Sequence, residues 1–192
     1  YGEDTAILAA VGLINLAYRG VNADQALSGE QRSRISLILA DAVGPGGLTG
    51  GQYDDLKADR SNAEVDGVEH IHLRKTARLF AAAAEIGAVA SGQDRFATDL
   101  HQFGESIGLA FQAFDDLLDA KSDIGAVGKD VGKDTDKATV IALLGVDNAD
   151  ARAQAHMSNA EKALDPLPGD ASAVLIGYAN DLVEGMKANA KR

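Results

Sequence analysis

The chain has 192 residues, with 29 acidic against 18 basic side chains and a formal net charge of -11. An acidic balance without clustered Lys or Arg excludes a nucleic-acid surface, and the absence of cysteine excludes disulfides and thiolate metal sites and suits a reducing cytoplasm. Three prolines and 5% aromatics in an alanine- and leucine-rich sequence predict an all-α fold, and the length predicts a single domain over residues 1–192.

Ile7, Val11, Ile14 and Tyr18 recur at spacings of three and four, which predicts a helix from Glu3 to Tyr18 with acids in its first turn, where the helix dipole favours them. Ser28 with Gln31 three residues on has the capping-box pattern, so a second helix should run from Ser28 to Val43 and end at Gly44-Pro45-Gly46-Gly47. A third covers Gly50 to Lys57, a polar loop follows from Ala58 to Gly67, and two long helices are expected at His70 to Ser91 and Asp94 to Ala120. The glycine-rich, densely charged stretch Lys121 to Lys137 has no apolar period and reads as a loop. Helices over Thr139–Leu144, Asn148–Leu164 and Asp170–Ala188 complete about eight, with Pro166 and Pro168 parting the last two. No repeat is visible. Apolar runs such as Ile35 to Leu39 are far shorter than the roughly 20 residues a bilayer demands, so no membrane span is expected. The chain opens on Tyr1, without methionine or a signal-peptide pattern, directly into apolar periodicity, which predicts a piece of a longer protein.

The helix Asp94 to Ala120 carries the chemistry. At 100° per residue, Gln112, Asp115, Asp116 and Asp119 fall within one arc of about 100°. Gly104 and Gly108 extend that arc and are expected to keep it free of bulk, while Phe103, Ile107, Ala110, Phe111, Phe114, Leu117 and Leu118 lie opposite. Scattered acids usually form a solvated face. Such a face, however, mixes Lys with Glu, whereas this one gathers like charges that repel, on a residue type that disfavours helix. Hard oxygen ligands on a rigid helix suit Mg²⁺ that also holds substrate phosphates. The following segment, Gly125 to Thr139, brings Lys129, Lys133 and Lys137 close in sequence, with glycines that permit backbone turns near a ligand. It lacks the spacing of a Walker loop. A flexible surface loop and a diphosphate held between Mg²⁺ and lysine both fit it.

These residues resemble the trans-isoprenyl diphosphate synthases, in particular the bacterial geranylgeranyl and farnesyl types. Phe111 to Asp119 is similar to the family's second aspartate-rich motif, and Gly128 to Asp134, with Lys137 and Thr139 behind it, to its Gly-Lys-x-x-Gly-x-Asp loop. Gly50-Gly51-Gln52 with Asp55-Leu56 resembles the Gly-Gln helix. Lys75-Thr76 with Leu79-Phe80 resembles the Lys-Thr helix, and Tyr1 to Ala6 the helix after the first aspartate-rich motif. The resemblance covers Tyr1 to about Gly145.

It implies an isoprenoid-synthase-like helical bundle, incomplete at its N-terminus, in a cytoplasmic homodimer. It further implies that Asp115, Asp116 and Asp119, with Asp134, bind Mg²⁺, and that Lys75 and Lys129 contact the allylic diphosphate. Thr76 and Gln112 would stand near the developing allylic cation, and Gln52 on the wall of the elongation cavity or in helix packing. The implied reaction ionises an allylic diphosphate, lets the double bond of isopentenyl diphosphate attack the cation, and releases a proton, extending the chain by five carbons.

A complete member also carries a first aspartate-rich motif with arginines after it, and Gly-Lys, Arg and His positions for isopentenyl diphosphate. None is present, and Ala10-Val11 stands where many members have Gly-Asp. The chain alone is therefore expected to be inactive. The alternative is a non-catalytic subunit that pairs with a full synthase and adjusts product length; a terpene-cyclase-like protein is disfavoured by the Gly-Lys loop with Lys75-Thr76. His70 and His72 point about 200° apart on a helix, which predicts surface or cap roles, and His101 and His156 read as isolated. Ala81 to Ala84, Gly87 and Ala88 predict close helix packing or an apolar tunnel wall.

Overall fold

Ser28 Oγ accepts the Gln31 N–H at 3.1 Å, and Gln31 Oε1 accepts the Ser28 N–H at 2.9 Å. This closed capping box satisfies two of the orphan donors of a helix start and fixes α2, Gly29–Val43, where the sequence puts it. The other end of the Gln31 amide donates to the Val89 carbonyl at 2.8 Å, which ties that start to a later helix. The computed structural model describes residues 1–58, 62–125 and 140–189. Among them the helices are α1 (Glu3–Ala23), α2, α3 (Leu48–Lys57), α4 (Val65–His72), α5 (Arg78–Ala90), α6 (Ala97–Gly125), α7 (Val140–Leu144), α8 (Val146–Ala163) and α9 (Gly169–Asn189). No strand occurs among the described residues, and the all-α expectation holds.

The core forms around α6. Its stripe Phe103, Ile107, Ala110, Phe114 and Leu117 is buried against Ala149, Ala153, Met157 and Ala160 of α8, Ala179 and Val183 of α9, and Val140 of α7. Alanines along α8 let it approach α6 closely, and each large apolar side chain buried here contributes about 1.5–3 kcal/mol. On its other side α6 meets α5. A Cβ on Gly104 would overlap the backbone of Phe80 and Ala81, and one on Gly108 would overlap Ala77. These two glycines therefore do not keep an open face clear, as their position on the acidic arc suggests; they permit backbone-to-backbone contact.

Several boundaries depart from the sequence expectation: α1 runs past Tyr18 to Ala23, and Asp94–Phe96 is a 3-10 turn before α6. The helix expected from His70 starts at Val65, because Val68 is buried in the core and that burial outweighs the cost of Gly67 inside a helix. It is also interrupted: Leu73–Ala77 is a π-helical turn, in which the Arg78 N–H reaches back five residues to the Leu73 carbonyl, before α5 resumes. The acidic helix continues to Gly125, so residues 121–125 are helical rather than loop.

Helix α1 rests on α2, with Asn22 Nδ2 donating to Ser36 Oγ at 3.3 Å. No residue of it is buried, and Ile7, Leu8, Val11, Leu13 and Leu16 are all more than half exposed. Its 21 residues include an 18-residue stretch with a mean hydropathy of 1.3 and are long and apolar enough to cross a membrane by length and composition. The charges of α1 sit near its ends, at Glu3, Asp4 and Arg19, so the helix is apolar over a span that no single run displays.

Candidate active site

The π turn sets the site. An inserted residue rotates the chain relative to a regular helix, and such turns recur at functional positions. Here the turn carries Lys75 and Thr76 and packs between α3 and α6. Thr76 Oγ1 donates to Gln112 Oε1 at 3.0 Å, and Gln112 Nε2 donates to Asp116 Oδ1 at 3.2 Å. Threonine, glutamine and aspartate thus form one hydrogen-bonded chain, whose first bond fixes the amide orientation of Gln112. Asp115 and Asp119 lie on the exposed side of the same helical arc. Lys75 Nζ donates to Asp55 Oδ2 of α3 at 2.6 Å.

Of the residues that sequence points to, the structure brings Thr76, Gln112 and Asp116 into direct contact, places Asp115 and Asp119 one turn apart beside them, and gives Lys75 a carboxylate partner. Lys129, Lys133, Asp134 and Lys137 lie outside the described residues.

Three histidine expectations, for His72, His156 and His101, are corrected. His72 is neither a surface nor a cap residue. Its side chain is 13% exposed and Nε2 stands 3.9 Å from Asp116 Oδ2. Burial pushes its imidazole down to about 4 and Lys75 adds to the effect, while Asp55 and Glu69 oppose it. At neutral pH it is an uncharged ring among charges. His156 is likewise not isolated. Its Nε2 lies 3.5 Å from Glu69 Oε1, and Glu69 is held by a two-pronged Arg152, with Nη2 to Oε2 at 2.6 Å and Nε to Oε1. Burial alone would raise the Glu69 carboxyl, but the hydrogen bond and charge of Arg152 outweigh it and hold the group below its ordinary value. This pair ties α4 to α8 behind the site. His101 is not isolated either: Nδ1 lies 2.8 Å from Glu85 Oε2 and Nε2 3.8 Å from Glu105 Oε2.

Sequence reading missed His72, Glu69 and the pairing role of Asp55. His72 lies three residues before Lys75, close to one helical face, which was the one available signal. Glu69 and Arg152 are 83 positions apart and had none.

Among the described residues, no three His, Asp or Glu side chains gather closely enough to cage a metal ion. Mg²⁺ does not require such a cage: it keeps several waters and binds through one or two carboxylates and substrate phosphates. Hard carboxylates one turn apart on an exposed helix face, Asp115 and Asp119, fit that mode.

The all-helical bundle is shared with solved structures of a geranyltransferase and a farnesyl-diphosphate synthase. The geranyltransferase of Helicobacter pylori, in complex with magnesium and isoprenyl diphosphate, aligns over 98% of this chain and 62% of its own with a TM-score of 0.78 and 28% identity. A putative farnesyl-diphosphate synthase from Marinomonas aligns at 0.79 and 30% identity over 94% of this chain and 63% of its own. The chain belongs to the polyprenyl synthetase family, whose model matches residues 1–166. Farnesyl diphosphate synthase of Escherichia coli is 39% identical over 87% of this chain and 58% of its own length, and geranylgeranyl pyrophosphate synthase 7 of Arabidopsis thaliana 35% over 94% and 54%. The chain thus spans between half and two thirds of the length of these relatives.

Proposed function

We propose that the chain forms the second metal-and-diphosphate wall of a prenyltransferase that condenses isopentenyl diphosphate with an allylic diphosphate to give a geranylgeranyl or farnesyl product. The observation that carries the reading is the chain from Thr76 through Gln112 to Asp116, which joins the Lys-Thr turn to the aspartate helix. Farnesyl and geranylgeranyl synthases among its relatives support it.

In this reading Asp115, Asp116 and Asp119, with Asp134, hold Mg²⁺. When bound, the metal neutralises charge on the diphosphate leaving group. Lys75 and Lys129 bind the same diphosphate through charge-assisted hydrogen bonds. Thr76 and Gln112 orient fixed dipoles toward the allylic carbon, where positive charge develops as its bond to oxygen breaks. Phe80 of α5, just past the π turn, and Phe111 of α6 have ring centroids 5.5 Å apart, and their apolar rings help exclude water from a reactive cation. The first aspartate-rich motif is not among these 192 residues, so the chain alone binds diphosphate and does not turn over. The complete enzyme is a cytoplasmic homodimer built on this helical domain.

Mg²⁺ with a bisphosphonate tests the assignment by thermal unfolding of the chain and its Asp115→Ala variant. Binding at a hundredfold excess over Kd stabilises by about 2.7 kcal/mol, roughly 5–10 °C for a chain of this size. The variant should lose most of that gain. Equal stabilisation of both proteins refutes the metal wall.

A further inference from the structure

Lysine is a flexible anchor: its four-carbon stem carries about 2 kcal/mol of rotamer entropy, and an ammonium that must meet a diphosphate performs best when that freedom is already removed. The structure contains a device that removes it. A Cβ on Gly51 would overlap the backbone of Arg74 and Lys75, and one on Gly50 would overlap the Pro45 carbonyl and the Arg74 guanidinium. Only glycines let α3 lie directly on the π turn. At that distance two adjacent carboxylates of α3 meet two adjacent bases of the turn. Asp54 pairs with Arg74, whose other arm donates to the Pro45 carbonyl at 2.6 Å, and Asp55 pairs with Lys75. The first pair clamps the backbone that carries Lys75, and the second holds its head. An ammonium has three N–H donors; Asp55 Oδ2 takes one and leaves two for phosphate oxygens. The pair is partly open, with Lys75 35% and Asp55 41% exposed, so a ligand reaches the ammonium without breaking it.

We propose that Asp55 is a positioning residue of the diphosphate site, holding the Lys75 ammonium in place before the ligand arrives. This rests on the proposed role of Lys75 in binding diphosphate.

The test is calorimetric titration of the chain with inorganic pyrophosphate in excess Mg²⁺, comparing the parent, Asp55→Asn, Asp55→Glu, Lys75→Met and the double variant Asp55→Asn with Lys75→Met. Asp55→Asn should bind about fivefold more weakly, the scale of one well-placed ion pair, and Asp55→Glu should recover part of the loss. Lys75→Met should weaken binding at least about tenfold, and adding Asp55→Asn to it should change nothing further, because Asp55 acts through Lys75. A purely structural role would instead persist in the Lys75→Met background and follow a loss of ligand-free Tm. Unchanged or tighter binding by Asp55→Asn, or an undiminished effect in the Lys75→Met background, overturns the positioning role alone. No weakening in Lys75→Met overturns both this role and the diphosphate assignment.

Discussion

Acidification from about pH 7.5 to about pH 5 is expected to remove about 2 kcal/mol of folding stability through one imidazole, His72. The folded ring takes a proton only near pH 4, against an ordinary 6.5, because it is buried and because the Lys75 ammonium repels its charge. The unfolded chain therefore takes up this proton first. Stability contributed by the neutral ring is fully present above 6.5, falls as pH drops through the interval, and levels off below about 4. Each tenfold ratio in proton affinity is worth about 1.4 kcal/mol, so the whole interval is worth on the order of 3 kcal/mol, of which about 2 is reached by pH 5. In a protein stable by only about 5–15 kcal/mol this lowers Tm by roughly 4–8 °C. The assay is denaturant unfolding across that pH range, in chelator, for the parent and for His72→Gln, which cannot be protonated. The parent should show the additional loss and the variant should not. Identical pH slopes, or a His72 NMR titration midpoint near 6.5, would refute the burial argument.

Arg152→Ala should destabilise the chain by about 1–2 kcal/mol, less than a fully buried pair because the arginine is 40% exposed. It should also raise the Glu69 carboxyl toward its ordinary value, both readable by urea unfolding and by NMR titration. Gly108→Val forces a side chain into Ala77, an overpacking expected to cost about 1–3 kcal/mol. The same unfolding experiment checks it, and a neutral result would mean that the π turn and α6 are not packed backbone to backbone.

What was legible without coordinates was local. Gln112, Asp115, Asp116 and Asp119 share a face because one regular helix carries them, and the Ser28–Gln31 box marks a helix start because its two bonds close within four residues. Family membership follows from such local patterns, since each motif lies within one element. The interruption at Leu73–Ala77 had no such signal, because the residues of a π turn are composed like those of any helix.

By itself, the sequence determined that the fold is helical and that one helix gathers acids, and its resemblance to the family implied that Lys75-Thr76 stands near them. Only the tertiary structure decided that Asp55 holds Lys75, that His72 lies uncharged beside Asp116, and that Gly104 and Gly108 serve packing rather than an open face. The physical reason is range. Periodicity and capping act over a few residues of one chain segment, whereas partners 20 to 83 positions apart meet only after rigid helices have docked, at distances set by which small residues line their contacts.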